Sequence, residues 1–204
     1  MFAEIVESTA FYRIHGDIDA LEIVNTCPAA MKELLPRHHG CLVKTLGDAV
    51  MFLFPDADSA VDAAVDMKRA ITALYLGGRD MKVRIGLHAA PVVTGGDDVY
   101  GDTANVAAYL ADAANPDQIL ISESTLQQLN EGYREATWPC FDAIMKTTLA
   151  KTALGEVQWR DDLVNSTLIN PHIHRMIPED ADSLVLTLAG KEARLDDWHP
   201  ILTI

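Results

Sequence analysis

The chain has 204 residues, a formal net charge of −14 and a hydrophobic content of 49%. This length corresponds to one domain, or one domain plus a fragment, with enough apolar residues for a substantial core. The acidity argues against nucleic acid or an anionic membrane as the main partner, because both require clustered Lys and Arg.

Membrane insertion and secretion are not expected from the pattern of apolar residues. No run approaches the roughly 18 apolar residues that a membrane span needs. Glu4 and Glu7 interrupt the early apolar stretch, so no signal peptide is expected. The three cysteines are widely spaced and odd in number, which favours reduced thiols over a disulfide framework or a metal site. We therefore predict a soluble, cytoplasmic protein.

Strand and helix signals alternate along the chain. Alternating apolar residues indicate strands, and apolar residues at i, i+3, i+4 and i+7 indicate helices. In chain order the pattern predicts a strand at 2–6, a helix at 8–35, strands at 42–46 and 49–54, a helix at 60–74, a strand at 81–87, a helix at 104–114, a strand at 119–121 and a helix to 129. This order favours an α+β fold, with a ferredoxin-like antiparallel sheet and helices on one face, over a doubly wound parallel sheet.

A tight hairpin is predicted between the strands at 42–46 and 49–54. Gly47 and Asp48 form its loop, and Gly at the first position of a two-residue loop is typical of a type II′ turn. Asp48 is thus expected at the hairpin tip, with Lys44 on the strand that precedes it.

Four stretches occur in a fixed order: FAEIVESTAFYRIHGD, VKTLGDAVMFLF, KVRIGLHAAPVV and VYGDTANVAAYL. Together they resemble the catalytic domain of class III adenylate and guanylate cyclases, over residues 1 to 160. The resemblance implies a ferredoxin-like cyclase fold and a homodimer with sites at its interface. It also implies two divalent ions that assist attack of the ribose 3′-hydroxyl on the α-phosphate, with loss of pyrophosphate.

Two carboxylates match the metal-binding positions of the family. One lies on the first strand and one at the hairpin tip, which corresponds to Glu4 and Asp48. Carboxylate ligands suit Mg²⁺ or Mn²⁺. Glu4 replaces the family's aspartate, and its additional methylene displaces the carboxylate. The alternative is a solvated Glu on an edge strand and an Asp selected for its turn.

Lys44 and Asp98 occupy the two positions that recognise the base in adenylate-forming members. The resemblance implies that the Lys donates to an acceptor on the adenine ring and that the Asp accepts from its exocyclic amine. Guanine presents the reverse polarity, so ATP is favoured over GTP. The alternative is an exposed strand lysine and an Asp in a Gly-Asp-Asp turn.

The predicted helix at 104–114 carries Asn105 and Tyr109 one turn apart, on a shared face. The resemblance implies that Asn105 orients the ribose. Tyr109 stands where the family has an arginine that stabilises charge on the α-phosphate, and a phenol cannot replace a guanidinium there. Tyr109 can equally be a packing residue. Lys146 lies nearest to the family's phosphate-binding lysine, with Lys151 as the second choice.

Past residue 160 the composition changes. Residues 161–204 read as a linker followed by a terminal β-hairpin. The stretch SLVLTLAGKEARLDDWHPILTI resembles the opening strands of a forkhead-associated domain, which implies a phosphopeptide partner bound through a missing C-terminal part. A terminal hairpin that packs on the cyclase-like domain or on a dimer mate is an equal alternative. His172 and His174 are interpreted as a solvated loop pair, since two further metal ligands are not evident.

Three hypotheses follow. The first is an active adenylate cyclase, the second a degenerate cyclase-like module that binds nucleotide or a partner without turnover, and the third an interaction module that depends on a missing C-terminal part. Lys44, Asp48 and Asp98 favour the enzyme, as does Asn105, whereas the replacements at positions 4 and 109 favour the degenerate module. The sequence on balance favours a slow adenylate cyclase.

Overall fold

The computed structural model describes residues 1–6, 8–76, 79–95, 98–144, 151–159, 184–188 and 191–195. The chain divides into two compact units, Met1–Asn165 and Ser166–Ile204. Within the described ranges, no helix is both long enough and apolar enough to cross a membrane.

The first unit combines helices and strands. Its strands are β1 (Phe2–Ile5), β2 (Cys41–Leu46), β3 (Ala49–Leu53), β4 (Tyr75–Leu76), β5 (Arg79–Asp80), β6 (Val83–Leu87), β7 (Val93–Gly95), β8 (Asp98–Tyr100), β9 (Ile119–Ser122), β10 (Thr137–Ile144) and β11 (Lys151–Val157). Its helices are α1 (Ser8–Leu34), α2 (Ala57–Thr72), α3 (Asp102–Ala113), α4 (Glu123–Gln128) and α5 (Glu131–Glu135), with a 3₁₀ helix at Leu35–His38. The second unit contains an antiparallel hairpin of β12 (Leu184–Leu188) and β13 (Lys191–Leu195).

A seven-stranded sheet in the order β10-β11-β9-β6-β1-β3-β2 forms the centre of the first unit. Its neighbouring strands are antiparallel except for the parallel pair β6 and β9. Two short hairpins, β4–β5 and β7–β8, lie outside this sheet. The predicted α+β class with a largely antiparallel sheet is confirmed.

Helices cover both faces of the sheet, whereas the sequence predicted one. Ala3 and Ile5 on β1 join the core cluster that contains residues of α1 and α2. Phe2, which points to the opposite face, packs with Ala107 and Ala111 of α3. The additional layer therefore comes from α3.

Gly86 explains how α3 reaches that face. A Cβ at this position of β6 would lie 2.2 Å from the Ala111 backbone nitrogen and 2.4 Å from the Ala107 carbonyl oxygen. Real Cβ atoms do not approach backbone atoms so closely, so only Gly lets the helix backbone lie directly on the strand.

Local signals agree with most element boundaries. The positive φ of the β2–β3 loop, 62°, falls on Gly47 and not on Asp48, as a type II′ turn requires. The last turn of α3 ends just before Asn115 and Pro116, as predicted.

Two features differ from the predicted elements. In α1 the backbone at Gly16 is not helical, with φ 78° and ψ 171°, so two helices follow one another there. The β7–β8 hairpin was not predicted, because three-residue strands are too short for an alternation signal.

Candidate active site

Lys44 and Asp98 form a direct ion pair. The Lys44 Nζ donates to both carboxylate oxygens of Asp98, at 2.8 and 2.9 Å. The contact joins β2 to β8, and each side chain keeps about a third of its surface exposed, 37% and 32%. The structure thus brings together the two residues that the sequence assigned to base recognition.

The Lys44–Asp98 contact leaves part of the hydrogen-bonding capacity of the pair unused. The backbone N–H of Val99 donates to Oδ1 of Asp98 at 2.8 Å, the same oxygen that one Lys44 hydrogen bond uses. The Lys44 ammonium, followed by this N–H, holds the pKa of Asp98 below its ordinary value. Lys44 uses two of its three N–H donors on Asp98, and Oδ2 keeps a lone pair, so the pair offers one donor and one acceptor side by side.

Glu4 lies on β1, and Asp48 lies in the β2–β3 loop beside the end of β1. Glu4 is directly opposite Ala49 in the β1–β3 register. The backbone N–H of Ile5 donates to the Asp48 carbonyl oxygen at 3.1 Å. The pairing of β1 with β3 therefore brings the backbones of Glu4 and Asp48 close together, although many residues separate them in the sequence.

Glu4 and Lys44 lie on the same face of the sheet. Lys44 is opposite Met51, and Met51 is opposite Phe2, so these side chains point to the face that α3 covers. Glu4 lies two residues after Phe2 and points the same way. Strand spacing and rise place the Cα atoms of Lys44 and Glu4 about 12 Å apart.

Glu4 already has a cationic partner. Nη2 of Arg84, directly opposite Glu4 on β6, donates to its Oε1 at 2.7 Å. Arg84 also donates to the carbonyl oxygen of Asp112 at 2.8 Å and to its Oδ1 at 3.3 Å. The guanidinium thereby links the first strand to the last turn of α3, where helix carbonyls favour a cation.

Asp48 is held by a neutral group. The hydroxyl of Ser8, the first residue of α1, donates to its Oδ2 at 2.5 Å. Ser8 is 8% exposed. The two carboxylates therefore differ, because one pairs with a guanidinium and the other with a hydroxyl.

The two carboxylates fit a divalent ion that completes its shell from elsewhere. The described ranges contain no group of three or more His, Cys, Asp or Glu side chains that could hold a metal by themselves. Mg²⁺ sites of enzymes that act on phosphates use one or two carboxylates together with water and phosphate oxygens. Glu4 on β1 and Asp48 in the adjoining β2–β3 loop supply that number of carboxylates.

Asn105 and Tyr109 occupy different environments on α3. Asn105 is exposed and Tyr109 is half-buried. Tyr109 packs against a second apolar cluster between α3 and the sheet, which consists of Val106, Leu110, Ala114, Leu120 and Leu154. This contact agrees with the packing alternative for Tyr109, since a ring lodged in an apolar cluster buries its area there.

The remaining predicted cations cannot be placed at the site. Lys146 lies outside the described residues, as do His172 and His174. Lys151 is the first residue of β11 and pairs with Ile144, and its side chain is not described.

Sequence reasoning missed three contacting residues: Arg84, Asp112 and Ser8. Arg84 had a usable signal, because it alternates with buried Val83 and Ile85 on a strand that belongs to one of the four recognised stretches. The contacts of Ser8 and Asp112 depend on how helix ends meet the sheet, and no local pattern predicts that.

Comparison with known proteins identifies the family. A family model described as the adenylate and guanylate cyclase catalytic domain matches residues 1–145. The adenylate cyclase of Streptomyces griseus is 30% identical over 128 residues, which cover 63% of this chain and 31% of that protein. Guanylate cyclase D of Mus musculus is 27% identical over 179 residues, covering 78% of this chain and 16% of that protein. The chain thus spans less than a third of the length of these curated relatives.

Solved structures share the fold. The catalytic core of a rhodopsin-guanylyl cyclase with converted specificity, in complex with ATPαS, gives a TM-score of 0.71 at 27% identity, over 77% of this chain and 92% of that one. The guanylate cyclase domain of RhGC from Catenaria anguillulae, in complex with GTP, gives 0.67 at 25% identity, over 78% and 94%. The chain belongs to the adenylate and guanylate cyclase catalytic domain family.

Proposed function

We propose that this cyclase domain converts ATP to cyclic AMP and pyrophosphate. The observation that carries the proposal is the Lys44–Asp98 pair, which joins residues 54 positions apart and offers a donor beside an acceptor. These groups complement the ring nitrogen and the exocyclic amine of adenine. A base of the wrong polarity would cover these polar groups without pairing them, which lowers its affinity.

The other site residues have roles in the phosphoryl chemistry. The ribose 3′-hydroxyl attacks the α-phosphate, and the bond to the pyrophosphate oxygen breaks. Asp48 and Glu4 would hold divalent ions, Mg²⁺ or Mn²⁺, which supply charge neutralisation for the triphosphate when bound. Asn105 would orient the ribose, and the family resemblance assigns the phosphates to Lys146.

We further propose that turnover is slow. Tyr109 supplies no positive charge at the position of the family's arginine, and loss of one such stabiliser typically costs about 10²–10³ in rate. Glu4 is engaged by Arg84 at 2.7 Å, so an ion has to share or displace that contact. Both features reduce the stabilisation of charge at the reacting phosphate.

A homodimer is part of the proposal. The β2 strand and the β7–β8 hairpin expose large apolar side chains next to the Lys44–Asp98 pair: Leu42 at 40%, Leu46 at 50%, Val93 at 69% and Tyr100 at 56%. Exposed apolar surface of this kind favours association. A phosphopeptide partner for the C-terminal residues stays a prediction from the sequence.

A cyclic nucleotide assay tests the function directly. Purified protein is incubated with ATP or GTP, first with Mg²⁺ and then with Mn²⁺, and cyclic AMP and cyclic GMP are quantified. Cyclic AMP is expected in excess, more with Mn²⁺, whose coordination tolerates displaced ligands better. Asp48→Asn serves as the inactive control.

Other outcomes have distinct meanings. Cyclic GMP as the main product would refute the base assignment and leave a cyclase. ATP binding without any product would support the degenerate nucleotide-binding module instead. ATP stabilisation of equal size in EDTA, measured as a thermal shift, would contradict the role of divalent ions.

A further inference from the structure

Ser8 is placed to control the orientation of Asp48. Its hydroxyl donates to Asp48 Oδ2 at 2.5 Å across 40 positions of sequence. Ser8 is 8% exposed, so the donor is shielded from competing water. A hydroxyl that donates to an ionised carboxylate makes a charge-assisted hydrogen bond.

The backbone of Asp48 is fixed independently. Its carbonyl oxygen accepts from the Ile5 N–H at 3.1 Å, at the end of β1. The side chain would still rotate about its own bonds at a hairpin tip. The Ser8 hydroxyl restricts this rotation by donating to Oδ2. The other carboxylate oxygen, Oδ1, takes no part in this hydrogen bond.

Glu4 and Asp48 differ in the charge of the group that donates to them. Arg84 brings a positive charge to Glu4, which weakens its attraction for a second cation. A hydroxyl brings no charge, so Asp48 keeps its full attraction for a cation. Groups that orient a ligand by hydrogen bonding often change metal affinity about 10–100-fold when removed.

We infer that Ser8 is a positioning residue for Asp48, and that Asp48 rather than Glu4 is the main protein ligand for a divalent ion. The inference rests on the proposed function, because it presupposes that an ion binds at these carboxylates. It adds a residue of α1 to the site and ranks the two carboxylates.

Mn²⁺ binding without nucleotide tests the inference. Free Mn²⁺ is titrated against the full chain and detected by electron paramagnetic resonance, so that no turnover is needed. The variants are Ser8→Ala, Ser8→Thr, Glu4→Gln and Asp48→Asn. Ser59→Ala is the matched control, because Ser59 Oγ also donates to an aspartate, Asp56 Oδ2 at 3.0 Å, on an exposed helix end.

Each variant has a defined expected affinity for Mn²⁺. Ser8→Ala should weaken Mn²⁺ binding about 10–100-fold, and Ser8→Thr, which keeps the hydroxyl, should restore most of it. Asp48→Asn should weaken binding more than Glu4→Gln does. Ser59→Ala should leave the affinity unchanged, and the circular dichroism of Ser8→Ala in EDTA should show that the variant is folded at the temperature of the titration.

Two results would overturn the inference. If Asp48→Asn loses Mn²⁺ but Ser8→Ala binds it as the parent does, the positioning role is wrong and the metal site stands. If Asp48→Asn binds Mn²⁺ as tightly as the parent, the metal site itself is wrong and the proposed function fails with it. Should Ser8→Ala not fold, Ser8→Cys, with a similar volume and a weaker donor, is judged by the same criterion.

Discussion

Lys44 and Asp98 hold each other in place before any ligand arrives. Their two hydrogen bonds fix the lysine head group, whose side chain would otherwise lose considerable rotamer freedom on binding. Under the proposed function, this preorganised donor and acceptor would bind a base at a smaller entropic cost.

Reversal of the charge at position 44 should reduce base selectivity. Lys44→Glu replaces the donor with an acceptor and places it against Asp98, so we expect the ratio of ATP to GTP affinity to fall about 10-fold or more. Competition binding with both nucleotides measures this ratio. Lys82→Glu is the control, because it makes the same charge change at an exposed lysine just before β6, which β1 and β3 separate from β2 in the sheet. An unchanged ratio in Lys44→Glu would refute the base assignment.

Tyr109 allows a gain-of-function test. Under the proposed function, Tyr109→Arg returns a guanidinium to the position of the family's arginine, and such a group acts mainly in the transition state. Cyclic AMP formation at saturating Mn²⁺ and ATP should rise about 10-fold or more, with little change in affinity. Tyr109→Phe, which keeps the ring in its apolar cluster, should leave turnover unchanged. A folded Tyr109→Arg variant that binds ATP without any gain shows that position 109 is not the limiting defect.

At the scale of elements, α3 lies close against β6 because Gly86 has no side chain. The helix carries Asn105 at one end, and its last turn accepts hydrogen bonds from Arg84 at the other. Any displacement of α3 from the sheet therefore disturbs both groups.

Gly86→Ala should produce such a displacement. The added Cβ would lie 2.2 Å from a backbone nitrogen of α3, and backbone cannot yield as a flexible side chain does. We expect a loss of about 1–3 kcal/mol in the free energy of unfolding, measured by denaturant titration, and reduced ATP binding. Gly132→Ala is the matched control, because a Cβ at Gly132 of α5 meets nothing within 4 Å. Equal stability of the two variants would contradict the close packing of α3.

At the scale of the whole first unit, a fully buried lysine connects three distant segments. Lys68 of α2 is 0% exposed and pairs with Asp117, which lies between α3 and β9. Its ammonium lies 4.7 Å from the ring centroid of Trp159, just past β11. The indole Nε1 of Trp159 donates to the Asp117 carbonyl oxygen at 2.7 Å. The cluster joins α2 to the start of β9 and to the end of β11.

Lys68→Met should therefore destabilise the unit strongly. Removal of one partner of a buried ion pair typically costs about 3–5 kcal/mol, because the other charge loses its counter-ion. Because the Asp117 side chain is 23% exposed, water can partly solvate its unpaired charge. We therefore expect a loss at the lower end of this range of free energy. Denaturant unfolding measures it. Adding Asp117→Asn should recover part of the loss, since Asn tolerates the positive φ of 71° at that position. No recovery would mean that the charge of Asp117 is not the cause.

The sequence by itself determined the order of the longer helices and strands up to β9, the β2–β3 hairpin and the end of α3, but not the short β4–β5 and β7–β8 hairpins. These features depend on local rules: alternation of apolar residues, a Gly that adopts positive φ, and a Pro that ends a helix. The order of the four stretches also indicated the family and the juxtaposition of Lys44 with Asp98.

Only the tertiary structure decided which groups hold the candidate ligands. The Glu4–Arg84 and Ser8–Asp48 contacts join residues 80 and 40 positions apart. Whether such side chains meet depends on strand register, since a slip of one residue turns every side chain to the other face. The position of α3 on the second face likewise depends on how closely its backbone approaches Gly86, which local periodicity does not encode.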